Sequence, residues 1–289
     1  MKVLVTGAGG QLATALLKLA PAGAEVTALS EAELDITRRE AVRARIGEAK
    51  PALVINAAAY TAVDKAEGDA ARAAAVNADG AGNLAAAARE TGARFFHVST
   101  DFVFDGSQSR PYRPEDAPNP LGVYGRTKLA GEEAVRRACG ADAFILRTAW
   151  VYAVGGHNFV RTMLKLMAER GEVRVVADQV GAPTWASSLA QALWAAAAQP
   201  AARGTHHWTD AGVASWYDFA VAIAEEAVAR GLLGKTPVVH PITTADYPTP
   251  ARRPAYSVLD RGSAEALLGI KPVHWRVNLR NMLEELAHA

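Results

Sequence analysis

The first half of the chain alternates short, continuously apolar runs with longer stretches in which apolar residues recur at helical spacing. The first run covers residues 2–6 (KVLVT), and the stretch after it places Leu12, Leu16 and Leu19 on one helix face. Runs that are apolar throughout, rather than alternating, are typical of parallel strands covered by helices on both faces. The pattern predicts strands at 2–6, 25–29, 53–56, 94–99 and 143–148, with helices at 11–19, 38–47, 66–91 and 121–139.

This alternation of strand and helix predicts an α/β fold with a doubly wound parallel sheet, a Rossmann fold, over residues 1–149. After Trp150 the pattern loosens and turn residues become frequent, so residues 150–289 are predicted to form mainly a smaller mixed α/β lobe. Ser215 is a candidate N-cap there. Helices are predicted at 159–170, 187–199, 216–230, 263–268 and 278–287. Strands are predicted near 173–177 and 238–242, in segments near 170–200 and 236–245 that return to the sheet.

The charge of the chain is nearly balanced. Lys and Arg number 31 against 30 Asp and Glu, and 50% of the residues are hydrophobic. This composition excludes a disordered protein, and a net charge of +1 creates no field that would attract nucleic acid or an anionic membrane. Cys139 is the single cysteine, which excludes an intramolecular disulfide and a cysteine-based zinc cluster. A chain without disulfides suits a reducing compartment.

Two apolar stretches resemble targeting or membrane segments. The N-terminal one is interrupted by Gly7, Gly10 and Lys18, unlike a signal peptide. The other, residues 179–202, carries no charge, but its helical part at 187–199 is too short to span about 30 Å of hydrocarbon. We therefore expect a cytoplasmic protein with no membrane partner.

A glycine-rich turn follows the first strand directly and opens the first helix. It comprises residues 7–13 (GAGGQLA). Gly7 permits the tight turn, Gly10 lets the backbone approach a pyrophosphate, and the helix N-terminus offers free N–H groups to the phosphates. The turn therefore predicts a dinucleotide-binding domain, with an ordinary strand–helix turn as the alternative.

The residues after the second strand bear on which dinucleotide binds. Many dinucleotide sites place an acid there to hold a ribose 2′-hydroxyl, whereas this strand ends at Ser30, with Glu31 and Glu33 slightly later. Ser30 would tolerate a 2′-phosphate, which favours NADPH and leaves NADH possible. Asp35 and Ile36 lie where the chain should pass the adenine, or alternatively form the N-cap region of the next helix.

Tyr124 and Lys128 are four residues apart in a predicted helix and so share one face. A tyrosine of pKa about 10 exchanges protons poorly at neutral pH, and a neighbouring ammonium is expected to lower that pKa. The same ammonium can hold a nicotinamide ribose. Thr100 lies at the carboxyl end of the fourth strand, where doubly wound folds bind ligands, and its hydroxyl can bind a substrate carbonyl. Thr100, Tyr124 and Lys128 are therefore the candidate catalytic residues.

Together, Gly7, Gly10, Thr100, Tyr124 and Lys128 resemble the extended short-chain dehydrogenase/reductase family. Further strings along the whole chain resemble its dTDP-4-dehydrorhamnose reductase subgroup. They are NAAAYTAVDKAE at 56–67, STDFVFDG at 99–106, LRTAWVY at 146–152, DQVGAPT at 178–184 and Arg253-Pro254.

The resemblance implies reduction of the 4-keto group of dTDP-4-dehydro-L-rhamnose to dTDP-L-rhamnose by a monomer or homodimer whose second lobe binds mainly the substrate. Nicotinamide C4 would deliver hydride, Tyr124 a proton, and Thr100 would polarise the carbonyl. Trp150 would form one side of the sugar-binding site, or alternatively be a core residue. The cofactor-binding set is Gly7, Gly10, Gln11, Leu12, Ser30, Asp35, Ile36, Ala59, Tyr60, Thr61, Tyr124 and Lys128. The substrate-binding set is Thr100, Asp101, Trp150, Val63, Asn158 and Arg253.

The chain departs from the subgroup at two places. Phe102 stands where many relatives carry Tyr, so a hydroxyl contact to the substrate is missing. Residues 13–16 read ATAL, whereas some relatives carry there an acidic residue that helps a metal-linked dimer. We therefore expect no metal. His206 and His207 do not change this expectation, because adjacent residues on a strand point to opposite faces.

Three other functions remain as alternatives. A 4,6-dehydratase would need a pair of carboxylates beside the threonine, and only Asp101 is present. A reductase or epimerase acting on another nucleotide-4-keto-sugar stays open, although the chain is short for an epimerase. A non-catalytic dinucleotide-binding regulatory subunit would not need Thr100, Tyr124 and Lys128 intact.

Overall fold

The computed structural model describes residues 1–288, and at its centre lies a six-stranded sheet with all neighbouring strands parallel. The strands of the chain are β1 (Lys2–Thr6), β2 (Glu25–Leu29), β3 (Leu53–Asn56), β4 (Arg94–Thr100), β5 (Phe144–Thr148), β6 (Val151–Tyr152), β7 (Glu172–Val176), β8 (Val180–Gly181), β9 (Thr184–Trp185), β10 (Gly204–His207), β11 (Ala214–Ser215) and β12 (Val238–Ile242). The central order is β10-β5-β4-β3-β1-β2. The doubly wound parallel sheet and its five predicted strands are confirmed.

Helices cover both faces of this sheet and build the second lobe. They are α1 (Gln11–Lys18), α2 (Arg39–Ala49), α3 (Val63–Ala66), α4 (Ala70–Ala74), α5 (Ala81–Glu90), α6 (Val123–Cys139), α7 (Phe159–Arg170), α8 (Ala186–Ala198), α9 (Trp216–Ala229), α10 (Gly262–Leu268) and α11 (Trp275–Ala287). No helix within residues 1–288 is long and apolar enough to cross a bilayer.

Alternate residues of each central strand enter different cores. Val3 and Val5 of β1 pack in the core under α1 and α8, whereas Leu4 packs in the core under α2 and α5. Successive side chains of a strand point to opposite faces, and helices cover both faces here. This arrangement explains why the central strands are apolar throughout.

The prediction for the returning segments is wrong for both of their strands. β7 and β12 pair with each other in parallel, in a separate two-stranded sheet of the second lobe. In β7, Val173 and Val175 are buried while Glu172 and Arg174 are exposed, so this strand has only one apolar face and cannot lie inside a sheet covered on both faces. The strand that does return is β10, which pairs with β5.

The single helix predicted over 66–91 is interrupted near its start, between α3 and α4, and from Ala70 it runs on through α4, a π-helical segment at Ala75–Gly80, and α5. The π segment carries Asn77, which is buried. Its amide binds both backbone groups of Tyr60 and the Thr127 hydroxyl. A π segment often marks a functional position in a helix, and here it connects α6 to the loop after β3.

The second lobe has its own core, built from α7, α9, α11 and β7. The predicted cap of α9 is confirmed. The Ser215 hydroxyl accepts from the Asp218 N–H at 3.0 Å, and the Asp218 carboxylate accepts from Ser215 in return. This reciprocal pair satisfies donors at the start of α9, which places Trp216 at the first position of the helix. The division into domains at 149/150 remains a prediction. β10 and α8 come after residue 150 in the chain, yet they belong to the central sheet region.

Candidate active site

A cleft of about 880 Å³ lies where β1, β3, β4 and β5 end. This is the carboxyl edge of the sheet, where open parallel sheets bind their ligands. Most of the residues predicted for cofactor and substrate binding line it. They are Gly7, Gly10, Gln11, Leu12, Asp35, Ile36, Ala59, Thr61, Val63, Thr100, Asp101, Tyr124, Lys128, Trp150 and Arg253.

The glycine turn fits a dinucleotide pyrophosphate. Gly7 has a φ of +82°, and a Cβ there would come within 2.9 Å of the backbone nitrogen of Ala58. Gly10 is the N-cap of α1, no side chain caps it, and the first turn holds no acidic residue. The first N–H groups of α1 and its positive dipole end therefore face the cleft and can bind phosphate.

Three predicted site residues do not line the cleft. The hydroxyl and N–H of Ser30 donate to Glu33 at 2.7 and 2.8 Å, which leaves Ser30 poorly placed to receive a 2′-phosphate. The Tyr60 hydroxyl donates to Asp69 at 3.2 Å. Asn158 caps α7 and donates to the Gln11 side chain at 3.0 Å.

Asn158 therefore supports a cleft residue, Gln11, instead of lining the cleft itself.

At the other end of the cleft, a close approach of α6 brings Tyr124 to Thr100. A Cβ on Gly125 would lie 2.2 Å from the carbonyl oxygen of Phe102, so only glycine permits this approach. The Phe102 ring packs edge-on against the Tyr124 ring with centroids 5.5 Å apart. Phe102 therefore packs against Tyr124, the candidate proton donor, and offers no hydroxyl of its own to the cleft.

The predicted effect of Lys128 on Tyr124 is wrong for this structure. Burial and the negative charge of Asp101 raise the pKa of Tyr124 to about 12, with the Thr100 hydroxyl acting in the opposite direction. The Lys128 amine donates to the Val98 carbonyl at 2.8 Å, and burial lowers its pKa to about 8. The phenol is therefore protonated at neutral pH, and it is a weaker acid than free tyrosine, so it gives up its proton only where the phenolate is stabilised.

Thr100 and Asp101 form a buried pair beside this phenol. The Thr100 hydroxyl donates to Asp101 Oδ1 at 3.0 Å and accepts from the Phe102 N–H at 3.2 Å. Burial raises the pKa of Asp101 to about 6. Hydrogen bonding from Ser257 and Thr100 acts against this rise, and the Oδ2 atom of the carboxyl is buried.

A buried ion network that the sequence analysis missed fixes α6 against the central sheet, one turn beyond Lys128. Glu132 accepts from Ser99 at 2.6 Å, from Arg147 at 2.7 and 2.8 Å, and from Arg136 at 2.8 Å. Glu132 lies one turn after Lys128, so the four-residue spacing from Tyr124 onward was a signal for it. The network ties α6 to β4 and β5, the elements that carry Thr100 and the start of the Trp150 loop.

Two tryptophans form the wall towards the second lobe. Trp150 has a φ of 49° and stacks on Trp216 with ring centroids 3.5 Å apart. A Cβ on Gly181 would lie 2.6 Å from the Trp150 ring, so the DQVGAPT string provides the space for this indole. Trp216 reaches the cleft only through the tertiary fold, and no sequence spacing points to it.

Arg253 lines the cleft beside Val63 and is held by a bidentate ion pair. Its guanidinium donates to Asp64 at 2.8 and 3.1 Å, and that hydrogen bonding lowers the pKa of Asp64. Two other cleft residues that the sequence analysis did not select are Glu31 and Arg72, which form an ion pair with each other near Asp35.

The two adjacent histidines face different surroundings. His206 contacts Ser263, whereas His207 contacts the Tyr112 carbonyl inside the core. Within residues 1–288, no group of three or more His, Cys, Asp or Glu side chains is arranged to hold a metal ion.

Comparison with known proteins places these features in a family. The family model described as the RmlD substrate binding domain matches residues 1–288. The dTDP-4-dehydrorhamnose reductase of Burkholderia thailandensis is 46% identical, over 96% of this chain and 96% of that protein. The crystal structure of a dTDP-4-dehydrorhamnose reductase from Clostridium acetobutylicum has a TM-score of 0.93 and 42% identity, covering 99% of both chains. The Bacillus anthracis enzyme of the same name, in complex with NADP, has a TM-score of 0.92 and 35% identity, covering 98% of this chain and 99% of that one.

Proposed function

We propose, since this chain belongs to the family of dTDP-4-dehydrorhamnose reductases, that it reduces the 4-keto group of dTDP-4-dehydro-L-rhamnose to give dTDP-L-rhamnose. It is an oxidoreductase of dTDP-rhamnose biosynthesis that uses a nicotinamide dinucleotide. The observation that carries the reaction is a single cleft lined at one end by the Gly7–Gly10 turn and at the other by a protonated Tyr124 beside Thr100.

The bound cofactor supplies the hydride that goes to C4 of the sugar. Tyr124 supplies the proton that the carbonyl oxygen needs as negative charge develops on it. At a pKa of about 12 the phenol is protonated over the whole physiological range, so release of its proton depends on stabilisation of the phenolate. The products are thus a C4 hydroxyl, an oxidised cofactor and a phenolate that regains its proton from solvent.

Lys128 is proposed to stabilise that phenolate once its amine has left the Val98 carbonyl, because in its present position it does not lower the pKa of Tyr124. Its amine lies four residues along the same helix face and is 2% exposed, so its positive charge is poorly screened. The amine can exchange its hydrogen bond with the Val98 carbonyl for one to a ribose hydroxyl, which would orient the nicotinamide ring. Thr100 is proposed to donate to the carbonyl oxygen after its hydroxyl turns away from Asp101.

Asp101, Trp150, Val63 and Arg253 are proposed to contact the sugar nucleotide. The Arg253–Asp64 ion pair holds a guanidinium at the mouth of the cleft, where a diphosphate could bind bidentately. Asn158 is proposed to act indirectly, by positioning Gln11.

A turnover assay separates this function from its alternatives. The purified chain is mixed with NADPH or NADH, and the absorbance of the reduced nicotinamide is followed after addition of dTDP-4-dehydro-L-rhamnose. Stoichiometric loss of absorbance supports the reductase. Cofactor binding without turnover would support a regulatory subunit, and interconversion of sugars without net cofactor loss would support an epimerase.

We further propose that the enzyme is cytoplasmic and acts as a monomer or a homodimer. A chain with one cysteine, Cys139, is suited to a reducing compartment. Light scattering of the purified protein measures the mass in solution and decides between one copy and two.

A further inference from the structure

An ion pair of opposite charges lies at the adenosine end of the cleft. Glu31 follows β2, Arg72 lies in α4, and the Arg72 guanidinium donates to the Glu31 carboxylate. Both line the cleft together with Asp35 and Ile36. The end of the second strand is where a dinucleotide-binding fold receives the adenosine ribose. The 2′ position of that ribose, where NADPH carries a phosphate and NADH a hydroxyl, therefore comes close to this pair.

The other polar groups at this end are already occupied. The hydroxyl and N–H of Ser30 donate to Glu33, and Asp35 accepts from both the N–H and the hydroxyl of Thr37. Arg38 acts on Asp35 through its charge, but it does not line the cleft.

The other strongly basic residues of the cleft lie elsewhere in it. Among the cleft-lining residues in the described part of the chain, these are Lys128, beside the Val98 carbonyl, and Arg253, held by Asp64. Arg72 is therefore the cation nearest to the expected 2′ position.

We propose that Arg72 and Glu31 together set the choice between NADPH and NADH, with Arg72 binding the 2′-phosphate and Glu31 accepting from the 2′-hydroxyl. This inference rests on the proposed function, because it requires a nicotinamide dinucleotide in the cleft. The pair would allow the same site to admit both cofactors, since each partner suits one of the two ribose substituents.

The exposure of the pair makes this exchange inexpensive in free energy. The side chains of Arg72 and Glu31 are 42% and 76% exposed, and an ion pair in that position contributes little stability. A guanidinium binds a phosphate with two parallel charge-assisted hydrogen bonds, which are stronger than an exposed pair. Arg72 can thus leave Glu31 for the phosphate, while Glu31 swings into solvent and away from the phosphate charge.

The test measures dissociation constants of NADPH and NADH by nucleotide fluorescence, without sugar substrate. In Arg72→Met we expect NADPH to bind about tenfold to a hundredfold more weakly and NADH to change by less than about twofold. In Glu31→Gln we expect NADPH to bind more tightly and NADH more weakly. Because the contact is ionic, added salt should weaken NADPH binding more steeply in the unchanged protein than in Arg72→Met.

Arg43→Met is the matched control. Arg43 is also an exposed arginine with a glutamate partner, Glu90 at 2.7 Å, but it does not line the cleft. This variant should bind both dinucleotides like the unchanged protein.

Two outcomes would overturn the inference. One is an equal loss of NADPH and NADH binding in Arg72→Met, which would show that Arg72 only supports the local fold. The other is a change of preference in Arg38→Met and not in Arg72→Met. If the unchanged protein binds neither dinucleotide, the proposed function itself fails, which is a different result from an unaltered preference.

Discussion

Neutralising Glu132 should destabilise the whole chain, because its carboxylate is the centre of the buried network between the active-site helix α6 and strands β4 and β5. The Glu132 side chain is 0% exposed and that of Arg147 is 2% exposed. Glu132→Gln keeps the shape of the side chain and removes its charge, so the Arg147 guanidinium loses its buried counter-ion.

The size of the loss follows from the pKa of Glu132. Burial by itself would raise that pKa, but the hydrogen bonds and charge of Arg147, with Ser99 and Arg136, outweigh burial and lower the pKa from 4.5 to about 2. This difference corresponds to about 3 kcal/mol of stability at neutral pH. Breaking a buried ion pair from one side typically costs about 3–5 kcal/mol. Both lines of reasoning lead us to expect a loss of roughly 3 kcal/mol in the free energy of unfolding.

The assay is urea unfolding followed by circular dichroism, at neutral pH and at several acid pH values. Because the pKa is lowered in the folded state, the stabilisation is fully present above the unfolded pKa of 4.5 and is lost as the pH falls towards about 2. The difference between the unchanged chain and Glu132→Gln should therefore shrink over that window.

Glu133→Gln is the control for this experiment. Glu133 is the next residue on α6, its side chain is 55% exposed, and its partner Arg137 lies at 3.9 Å. Its neutralisation should change the free energy of unfolding by less than about 0.5 kcal/mol. A loss below about 1 kcal/mol in Glu132→Gln, or a loss that does not depend on pH, would refute the reasoning.

Three further outcomes are expected. Tyr124→Phe should lower turnover about a hundredfold or more while dinucleotide binding persists, since only the proton donor is removed; a rate close to that of the unchanged enzyme in steady-state assays would exclude this role. Lys128→Ala should weaken cofactor binding in fluorescence titrations and also slow turnover, and its assignment fails if neither quantity changes. Asp101→Asn should remove part of the pH dependence of the free energy of unfolding. Because the pKa of Asp101 is raised to about 6 in the folded chain, ionisation of Asp101 lowers the stability of the fold as the pH rises from about 4 to 6. Urea unfolding at both ends of that window should show a stability gain for Asp101→Asn at the upper end, and an equal effect at both ends would contradict it.

The local features of the fold could be predicted from the sequence because they depend on neighbouring residues. The apolar run of β1, the glycine turn after it and the Ser215 cap each involve a few consecutive positions. The same holds for Tyr124 and Lys128, whose four-residue spacing places them on one helix face.

The sequence pattern could not decide which strands pair with each other. An apolar run indicates a strand but not its partner, so β7 and β12 were predicted to return to the central sheet, which instead receives β10. The π segment within the predicted 66–91 helix also escaped prediction, because Asn77 contacts Tyr60 and Thr127, which are distant from it in the chain.

The sequence by itself determined which chemical groups stand at the ends of the strands and on the face of α6. Only the tertiary structure decided what surrounds them: the pKa of Tyr124 rises because burial and Asp101 act on it while Lys128 faces the Val98 carbonyl. Trp216 and Arg72 enter the cleft for the same reason, since their positions are set by long-range packing. Burial and charge interactions depend on distances in space, which spacing along the chain does not specify.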